Sequence, residues 1–306
     1  MFPFVKYRKI VYTFSLILTI AALISIAVFG LKLGIEFTGG SVLEVRYKQQ
    51  APALEEIKKQ MSALSLGDVA VQVAGDQRVI LKMRPIDEAQ KSDLMRKMQA
   101  LGEVVPGSES FQAIGPMIGK ELKAKTNIVI LLSLISILIY IAVSFRKISR
   151  PVKSYIYGVT GILALCHDIL IPLGVFAWLG HYLGAEITIP IITALLTVFG
   201  YSINDSVVVF DRIRENLFKS KGESFDAIVD QSLNQTLGRS VNTSFTVILV
   251  LLAILIFGGD TLRYFSLALL LGVGFGTYSS IFVASLLVVT IYNNQENRRL
   301  KKPGKR

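Results

Sequence analysis

Long apolar runs alternate with polar segments along most of this chain. Six of the runs approach or exceed the roughly 20 residues that a helix needs to cross the hydrocarbon core of a bilayer. The predicted spans are, in chain order, Ile10 to Gly30, Asn127 to Phe145, Tyr155 to Gly180, Ile187 to Phe210, Ser240 to Phe257 and Phe265 to Tyr292. The pattern therefore predicts a polytopic α-helical membrane protein with six transmembrane helices.

The segment between the first two spans, Leu31 to Lys125, has the composition of a soluble domain, with 14 Lys and Arg against 12 Asp and Glu. Its periodicity predicts a regular succession of strands and helices. The strands are Ser41 to Tyr47, Val69 to Val73, Arg78 to Met83 and Glu103 to Phe111, and the helices are Ala53 to Leu66 and Asp87 to Leu101. The order β-α-β-β-α-β is that of a ferredoxin-like domain, a fold that hosts many functions.

Four regions are therefore predicted along the chain. They are an N-terminus with the first helix (1–30), a ferredoxin-like extracytoplasmic domain (31–125), helices two to six (126–292) and a basic tail (293–306). Whole-chain values agree with a membrane protein, since 52% of the residues are hydrophobic and the mean hydropathy is +0.54.

The basic residues predict the orientation, because short cytoplasmic loops carry an excess of Lys and Arg. They cluster before the first span, in the loop after the second, after the fourth span and in the tail. The clusters are Lys6, Arg8 and Lys9; Arg146, Lys147, Arg150 and Lys153; Arg212, Arg214, Lys219 and Lys221; and Arg298, Arg299, Lys301, Lys302, Lys305 and Arg306. Both termini are predicted to be cytoplasmic. The net charge of +11 is assigned to these clusters facing anionic lipid rather than to nucleic-acid binding.

Asp205 is the main candidate for chemistry, because a carboxylate inside a membrane span costs about 2.5 to 3.5 kcal/mol on insertion scales and needs a partner, a cavity or a proton. On a helix, Tyr201, Asn204 and Asp205 share a polar face, opposite an apolar face that includes Phe199 and Ile203. The apolar face suits lipid, and the polar face suits a protein interior or a wet crevice. Asp205 is thus a predicted proton site.

A second polar pair, His167 and Asp168, lies in the third span. The two side chains suit either a proton relay or hydrogen bonds to neighbouring helices. Tyr201 and Asn204 carry the same two alternatives. Asp211, Arg212 and Arg214 are predicted to form surface ion pairs at helical spacing.

Glycines mark three further places in the chain. Two patches flank the soluble segment and predict junctions with unusual backbone angles and a proline-initiated helix. Their key residues are Phe37, Gly39 and Gly40 before the segment and Gly115, Pro116 and Gly119 after it. Gly272, Gly274 and Gly276 lie inside an apolar span with no preceding strand, so close helix packing through Gly272 and Gly276 is favoured over a nucleotide loop.

Several long motifs carry a family resemblance. They are FTGGSVLEV, GPMIGKEL, the HD of LALCHDIL, TVFGYSINDSVVVFDRIREN and QSLNQTLGRSVNTSFT. In this order and around six spans, the chain resembles the SecF family, whose members work with SecD in bacterial protein export. The family is similar in design to the RND exporters, in which intramembrane acidic residues couple proton entry to movement of an external domain.

The resemblance implies roles for two residues. Asp205 matches the acidic position of the family's SIND-type motif, and Arg239 matches the basic position of its TLSR-type motif, with Gly238 where a serine is common. At the predicted start of the fifth span the helix dipole disfavours a cation, so a nearby carboxylate would stabilise Arg239. Arg239 could instead only anchor the span at the inner interface. Protonation of Asp205 would remove the charge attraction and let the two helices repack.

The resemblance also implies partners and a location. The expected partners are SecD, the SecYEG translocon, the translocating preprotein and membrane lipids, with SecA, YajC and YidC as further candidates. The expected location is the bacterial cytoplasmic membrane, and the expected role is a non-enzymatic subunit that uses the proton motive force in export. No cofactor is expected other than the proton as coupling ion.

Two other functions were weighed against export. Half of an RND-type exporter for small molecules or lipids shares the proton-coupled design, but such exporters usually carry two large external domains on a longer chain. An intramembrane aspartyl protease needs two facing aspartates, which Asp168 and Asp205 supply in number. The usual GxGD signature is absent from the sequence, because Gly200 is followed by Tyr-Ser-Ile-Asn before Asp205.

Overall fold

The computed structural model describes residues 1–300 apart from 63, 65, 68, 145–151, 220 and 221. The chain divides into two compact units. The second unit is Leu33–Ile128, and the first unit is formed by the residues on either side of that segment. The basic residues Arg146, Lys147, Arg150 and Lys221, and those from 301 onward, lie outside the described residues.

Helices account for most of the described chain. In chain order the elements are α1 (Arg8–Phe29), α2 (Ile35–Thr38), β1 (Gly40–Arg46), α3 (Leu54–Ser62), β2 (Ala70–Ala74), β3 (Arg78–Met83), α4 (Glu88–Ala100), β4 (Ser110–Ile114), α5 (Pro116–Ser144), α6 (Ser154–Leu183), α7 (Ile189–Lys219), α8 (Phe225–Phe257), α9 (Gly259–Tyr278), a π-helical turn (Ser279–Ala284) and α10 (Ser285–Leu300). Six helices in the described residues are long and apolar enough to cross a membrane, so the predicted number of spans is confirmed.

The helices extend well beyond several of the predicted spans. α7 continues to Lys219, nine residues past the predicted end at Phe210, and α8 begins at Phe225 rather than at Ser240. Ser224 caps α8 by accepting a hydrogen bond from the Ala227 backbone N–H at 3.3 Å. Hydropathy marks only the apolar part of a helix, whereas the hydrogen-bonded backbone continues through polar residues to a cap.

The two faces of α7 are used differently from the prediction. Phe199, Ile203 and Phe210 of the apolar face are buried in the helical core. Asn204, on the polar face, is exposed. The assignment of the apolar face to lipid was therefore wrong, because this face packs against neighbouring helices.

Glycines permit close approach between helices in the first unit. A Cβ built on Gly272 of α9 would collide with a methyl carbon of Val198 on α7, and one on Gly276 would lie 3.2 Å from the Ser202 Cβ. Gly174 of α6 is similarly close to Ala22 of α1. Because these glycines have no side chain, α9 can pack closely against α7. Ser202 then lies beside the residues that follow Gly276.

The second unit contains a four-stranded antiparallel sheet in the order β2-β3-β1-β4. Side chains at alternate strand positions point to one face of the sheet, where they form a core with α3 and α4. The buried residues of this core include Leu43, Val45, Val79, Leu81, Met83, Ile57, Met61, Leu94 and Met98. The helix α4 begins at a capping box in which Asp87 and Gln90 exchange hydrogen bonds.

The last strand lies later in the chain than predicted, at Ser110–Ile114 instead of Glu103 to Phe111. Val104 forms only an isolated bridge with Tyr47. A turn then intervenes, because Pro106 has no N–H for a ladder and Gly107 has a φ of +74°. The short helix α2 was not predicted.

The two glycine patches meet inside this second unit. Gly39 and Gly40 have φ angles of +76° and +142°, and Pro116 is the first residue of α5. A Cβ on Gly39 would lie 2.9 Å from the Pro116 Cα, and one on Gly119 would lie 2.9 Å from the Gly39 nitrogen. Phe37 is buried, and its backbone also faces Gly119, whereas a Cβ on Gly115 would meet open space. The start of α5 therefore packs directly on the backbone that leads into β1.

Candidate functional site

Asp205 is buried in the middle of α7, with 4% of its surface exposed. Its Oδ2 atom is buried and has no hydrogen-bond partner among the described residues. Buried polar groups are normally paired, because an unpaired one costs about 1 to 3 kcal/mol. Asp205 thus has an open acceptor position where a proton can bind.

The groups that act on the Asp205 carboxyl come from α8. They are the Ser240 hydroxyl and, through space, the Arg239 guanidinium. Ser240 Oγ is itself buried and makes no hydrogen bond of ordinary geometry with any described residue. The two predicted charges therefore lie on α7 and α8, two helices that pack together, and they interact through space.

The argument that a helix dipole disfavours Arg239 was wrong. Arg239 lies 14 residues after the first residue of α8, Phe225, and the dipole acts only within about the first turn. Arg239 is exposed and lines a cavity of about 270 Å³ together with Glu215, Gln235 and Thr236. The cavity gives the guanidinium a polar setting between α7 and α8.

Tyr201 and Asn204, the predicted companions of Asp205, have different positions. The Tyr201 hydroxyl donates to Ser244 Oγ at 3.0 Å, and Ser244 lies 2.5 Å from Thr277 Oγ1. These hydroxyls link α7 to α8 and α9 one turn away from Asp205. Asn204 is exposed on the outer face of α7 and is not part of this network.

His167 and Asp168 form a separate buried network that connects α6 to α7 and to the π-helical turn. Asp168 is completely buried, and its Oδ1 lies 3.0 Å from His167 Nδ1. Ser202 of α7 donates to the Asp168 Oδ2 at 2.6 Å. Ser280 donates to the Ser202 carbonyl oxygen at 2.8 Å, and Ser206 donates to Ser280 Oγ at 3.0 Å. The pair therefore does make interhelical hydrogen bonds.

The sequence analysis missed the hydroxyl residues that build both networks. These are Ser202, Ser206, Ser240, Ser244, Thr277 and Ser280. Their signal was the recurrence of small hydroxyl residues within apolar spans, where they hydrogen-bond between helices. The predicted surface ion pairs near the end of α7 are present, with Arg214 Nη1 3.5 Å from Asp211 and Arg212 Nη1 2.7 Å from Glu215.

No group of three or more His, Cys, Asp or Glu side chains is placed to hold a metal ion in the part of the chain that the structure describes. The two networks contain two buried carboxyl groups, Asp168 and Asp205, with different neighbours.

Comparison with known families assigns the chain. Residues 95–294 match the model described as protein export membrane protein SecD/SecF, C-terminal, and residues 24–51 match the SecD/SecF GG motif. The chain belongs to the SecD/SecF family. The GG match contains Phe37, Gly39 and Gly40, and the longer match contains both intramembrane networks.

Full-length relatives agree with this assignment. The chain is 40% identical to the protein translocase subunit SecF of Thermobaculum terrenum over 304 residues, covering 96% of this chain and 95% of the relative. It is 38% identical to the subunit of the same name from Vibrio alginolyticus, covering 96% and 91% of the two chains.

Solved structures extend the likeness to the fold. SecDF from Thermus thermophilus, described as a translocon-associated membrane protein, matches with a TM-score of 0.83 and 35% identity over 95% of this chain. SecDF in a super-membrane-facing form matches with a TM-score of 0.69 and 33% identity over 98% of this chain. This chain spans 39% and 40% of those two longer chains.

Proposed function

We propose that this SecF-family chain is an accessory subunit of the Sec translocase that uses the proton motive force, together with SecD, to promote late steps of protein export. Asp205 takes up and releases the coupling proton, and Arg239 is its counter-charge. The observation that carries the proposal is the buried Asp205 carboxyl, with an open Oδ2 acceptor, beside Ser240 and Arg239 of the neighbouring helix.

The proposed coupling follows from electrostatics at low dielectric. An ionised Asp205 is attracted to Arg239 across the boundary between α7 and α8, and a protonated Asp205 is not. Transfer of one elementary charge across 100 mV supplies about 2.3 kcal/mol. That free energy is sufficient to bias two helix packings that differ by a few kcal/mol.

We further propose that SecD covers the polar face formed by α7 and α8. Asn204 on α7 and Arg239 and Asn242 on α8 are exposed on helices that are long and apolar enough to cross a membrane. Side chains of this kind are costly against lipid and normally face a protein or a water-filled cavity. The solved SecDF chain, whose name joins SecD and SecF, is longer than this chain, and this chain matches 39% of it. That match supports a SecD partnership. SecYEG, the translocating preprotein, SecA, YajC and YidC are further proposed partners.

The placement of the second unit is also part of the proposal. We assign its β-α-β-β-α-β succession and its strand order to a ferredoxin-like domain on the extracytoplasmic side of the bacterial cytoplasmic membrane. Both termini are then cytoplasmic, in keeping with Lys6, Arg8 and Lys9 before α1. The domain contacts the exported chain or transmits motion to SecD.

Two alternative functions receive less support. The aspartyl protease requires two carboxyl groups at one place, but His167 and Ser202 are the partners of Asp168, whereas Ser240 and Arg239 are the neighbours of Asp205. An RND-type exporter half would share the coupling site. The two functions differ in their substrate, and the assay below directly measures the export of a protein substrate.

The test is export of a reporter preprotein into sealed vesicles that contain this chain with SecD and the translocon. Asp205→Asn is expected to reduce gradient-driven export to the level measured without a gradient. Asp211→Asn is the matched control, because it removes a carboxylate from the same helix at an exposed position. An equal response of wild type and Asp205→Asn to the gradient, at equal protein level, refutes the coupling role.

A further inference from the structure

We infer that the His167–Asp168 pair is a second proton-binding site, distinct from Asp205, in which the imidazole takes up a proton at Nε2. The inference rests on the proposed proton-coupled function and deepens it, since it adds a second group that changes charge within the membrane. It is carried by the geometry around the two side chains.

The hydrogen bonds of Asp168 leave one open position in the pair. Ser202 donates to Oδ2 at 2.6 Å, and His167 Nδ1 lies 3.0 Å from Oδ1. Because an ionised carboxylate only accepts hydrogen bonds, the Nδ1 atom carries the hydrogen that points at Oδ1. The other ring nitrogen, Nε2, is buried and has no hydrogen-bond partner among the described residues. An arriving proton therefore finds its free acceptor at Nε2.

Proton uptake at this position is balanced by a charge already in place. The proton forms an N–H bond at Nε2, and the imidazolium is then paired with the Asp168 carboxylate at 3.0 Å. No other atom or electron is transferred. A fully buried carboxylate is costly without a cation, so the protonated histidine stabilises Asp168 in return.

The elements around the pair contribute few other charges. The titratable groups nearby are Cys166 on α6, on which Asp168 acts, and Tyr278 of α9, whose ring centroid is 6.3 Å from that of His167. α7 and the π-helical turn contribute the hydroxyls of Ser202 and Ser279. α1 contributes Ser15, whose Oγ lies 3.1 Å from the Tyr278 hydroxyl. Within the described chain, no lysine or arginine is among the groups that act on Asp168.

The serine chain connects this pair to the helix that carries Asp205. Ser202 and Ser206 bracket Asp205 on α7, and both bind Ser280 of the π-helical turn. π-Helical turns are rare and occur frequently at functional sites. A change of charge on His167 alters how strongly Asp168 accepts from Ser202. The charge state of the pair thereby affects the segment of α7 around Asp205.

Histidine NMR tests the proton site directly, because the chain has only two histidines. The full chain with SecD in lipid nanodiscs is labelled with ¹⁵N-histidine, and the His167 signals are identified by their loss in His167→Asn. Nε2 is expected to gain a proton as the pH of the sample is lowered from about 8 to about 5, and the ring ¹⁵N shifts report that change. A ring that keeps one protonation state over this range overturns the inference.

Two substitutions separate a proton site from a packing role. In His167→Asn the amide N–H can replace the Nδ1 donor to Asp168 but cannot take up a proton, whereas His167→Ala loses both properties. Both variants are expected to lower gradient-driven export by about fivefold or more, the lower range of ordinary coupling between sites. If His167→Asn exports like wild type while His167→Ala fails, the pair only holds the helices together, and the inference is overturned.

The outcomes are distinguishable from failure of the proposed function. Loss of coupling in His167→Asn together with an unaffected Asp205→Asn moves the coupling proton to the His167–Asp168 pair and refutes the role of Asp205. Titration of the His167 ring is measured without export, so it stands or falls separately from the transport assay.

Discussion

Asp168 and Asp205 are two carboxyl groups buried in the same helical unit, and the structure treats them in opposite ways. Both oxygens of Asp168 have hydrogen-bond partners, supplied by His167 and Ser202. Asp205 keeps Oδ2 without a partner among the described residues. One carboxyl therefore bonds to a neighbouring helix, whereas the other keeps an acceptor atom without a partner. Burial alone does not single out the residue proposed for coupling.

Loss of the Asp168 carboxyl should destabilise the protein more than loss of the Asp205 carboxyl. Asp168→Ala leaves the His167 Nδ1 donor buried without a partner and the Ser202 hydroxyl with only its 3.2 Å contact to Ser280 Oγ. A buried group without a partner costs about 1 to 3 kcal/mol. Asp205→Ala removes a similar volume but strands no bonded partner, so it should lower the free energy of unfolding by clearly less. Unfolding of both variants in mixed micelles, followed by circular dichroism, measures the difference. An equal decrease in the free energy of unfolding would show that the two carboxyl groups are equally well hydrogen-bonded.

A smaller effect sharpens the description of the Asp168 network. Ser202→Ala removes a hydrogen bond to a carboxylate, worth about 1.5 to 3 kcal/mol, whereas Ser206→Ala removes a bond to a neutral hydroxyl, worth about 0.5 to 1.5 kcal/mol. The two residues lie one turn apart on α7, so each variant controls for the other. The same unfolding measurement should rank Ser202→Ala as the more damaging. The reverse order would contradict the assignment of Asp168 as the charged acceptor.

The smallest effect concerns a buried and bonded polar group outside the spans, which serves as a reference for Asp168. The Tyr47 hydroxyl donates to the Met98 carbonyl oxygen at 2.9 Å, and burial raises the pKa of Tyr47 to about 12 from its ordinary 10.0. Because folding favours the neutral phenol, its contribution to stability is complete below pH 10 and is lost as the pH rises toward 12.

We expect Tyr47→Phe to cost about 1 kcal/mol at neutral pH and to remove the part of the alkaline transition that belongs to this residue. Absorbance of the tyrosinate and circular dichroism, recorded together during alkaline titration, follow both events. Tyr182→Phe is the matched control, because Tyr182 is exposed. Identical alkaline titration curves for wild type and Tyr47→Phe would show that Tyr47 does not contribute to the alkaline transition.

Much of the architecture could be read from the sequence. Six apolar runs predict six spans because spanning helices must satisfy their backbone hydrogen bonds internally and need about 20 apolar residues. The β-α-β-β-α-β succession follows from periodicities that differ between strand and helix. Asp205 stands out because a carboxylate in an apolar run is costly wherever its neighbours lie.

Only the tertiary structure decided which side chains meet. Lipid tails are as apolar as leucine, so hydropathy cannot tell a face that packs on another helix from a face exposed to lipid. The apolar face of α7 is therefore buried against the prediction, and the start of α8 lies well before the apolar run begins. The Asp168 network depends on Gly276, which lets α9 approach Ser202, and on the π-helical turn that presents Ser280. Such contacts join residues far apart in the chain, and local sequence patterns carry no information about their distance.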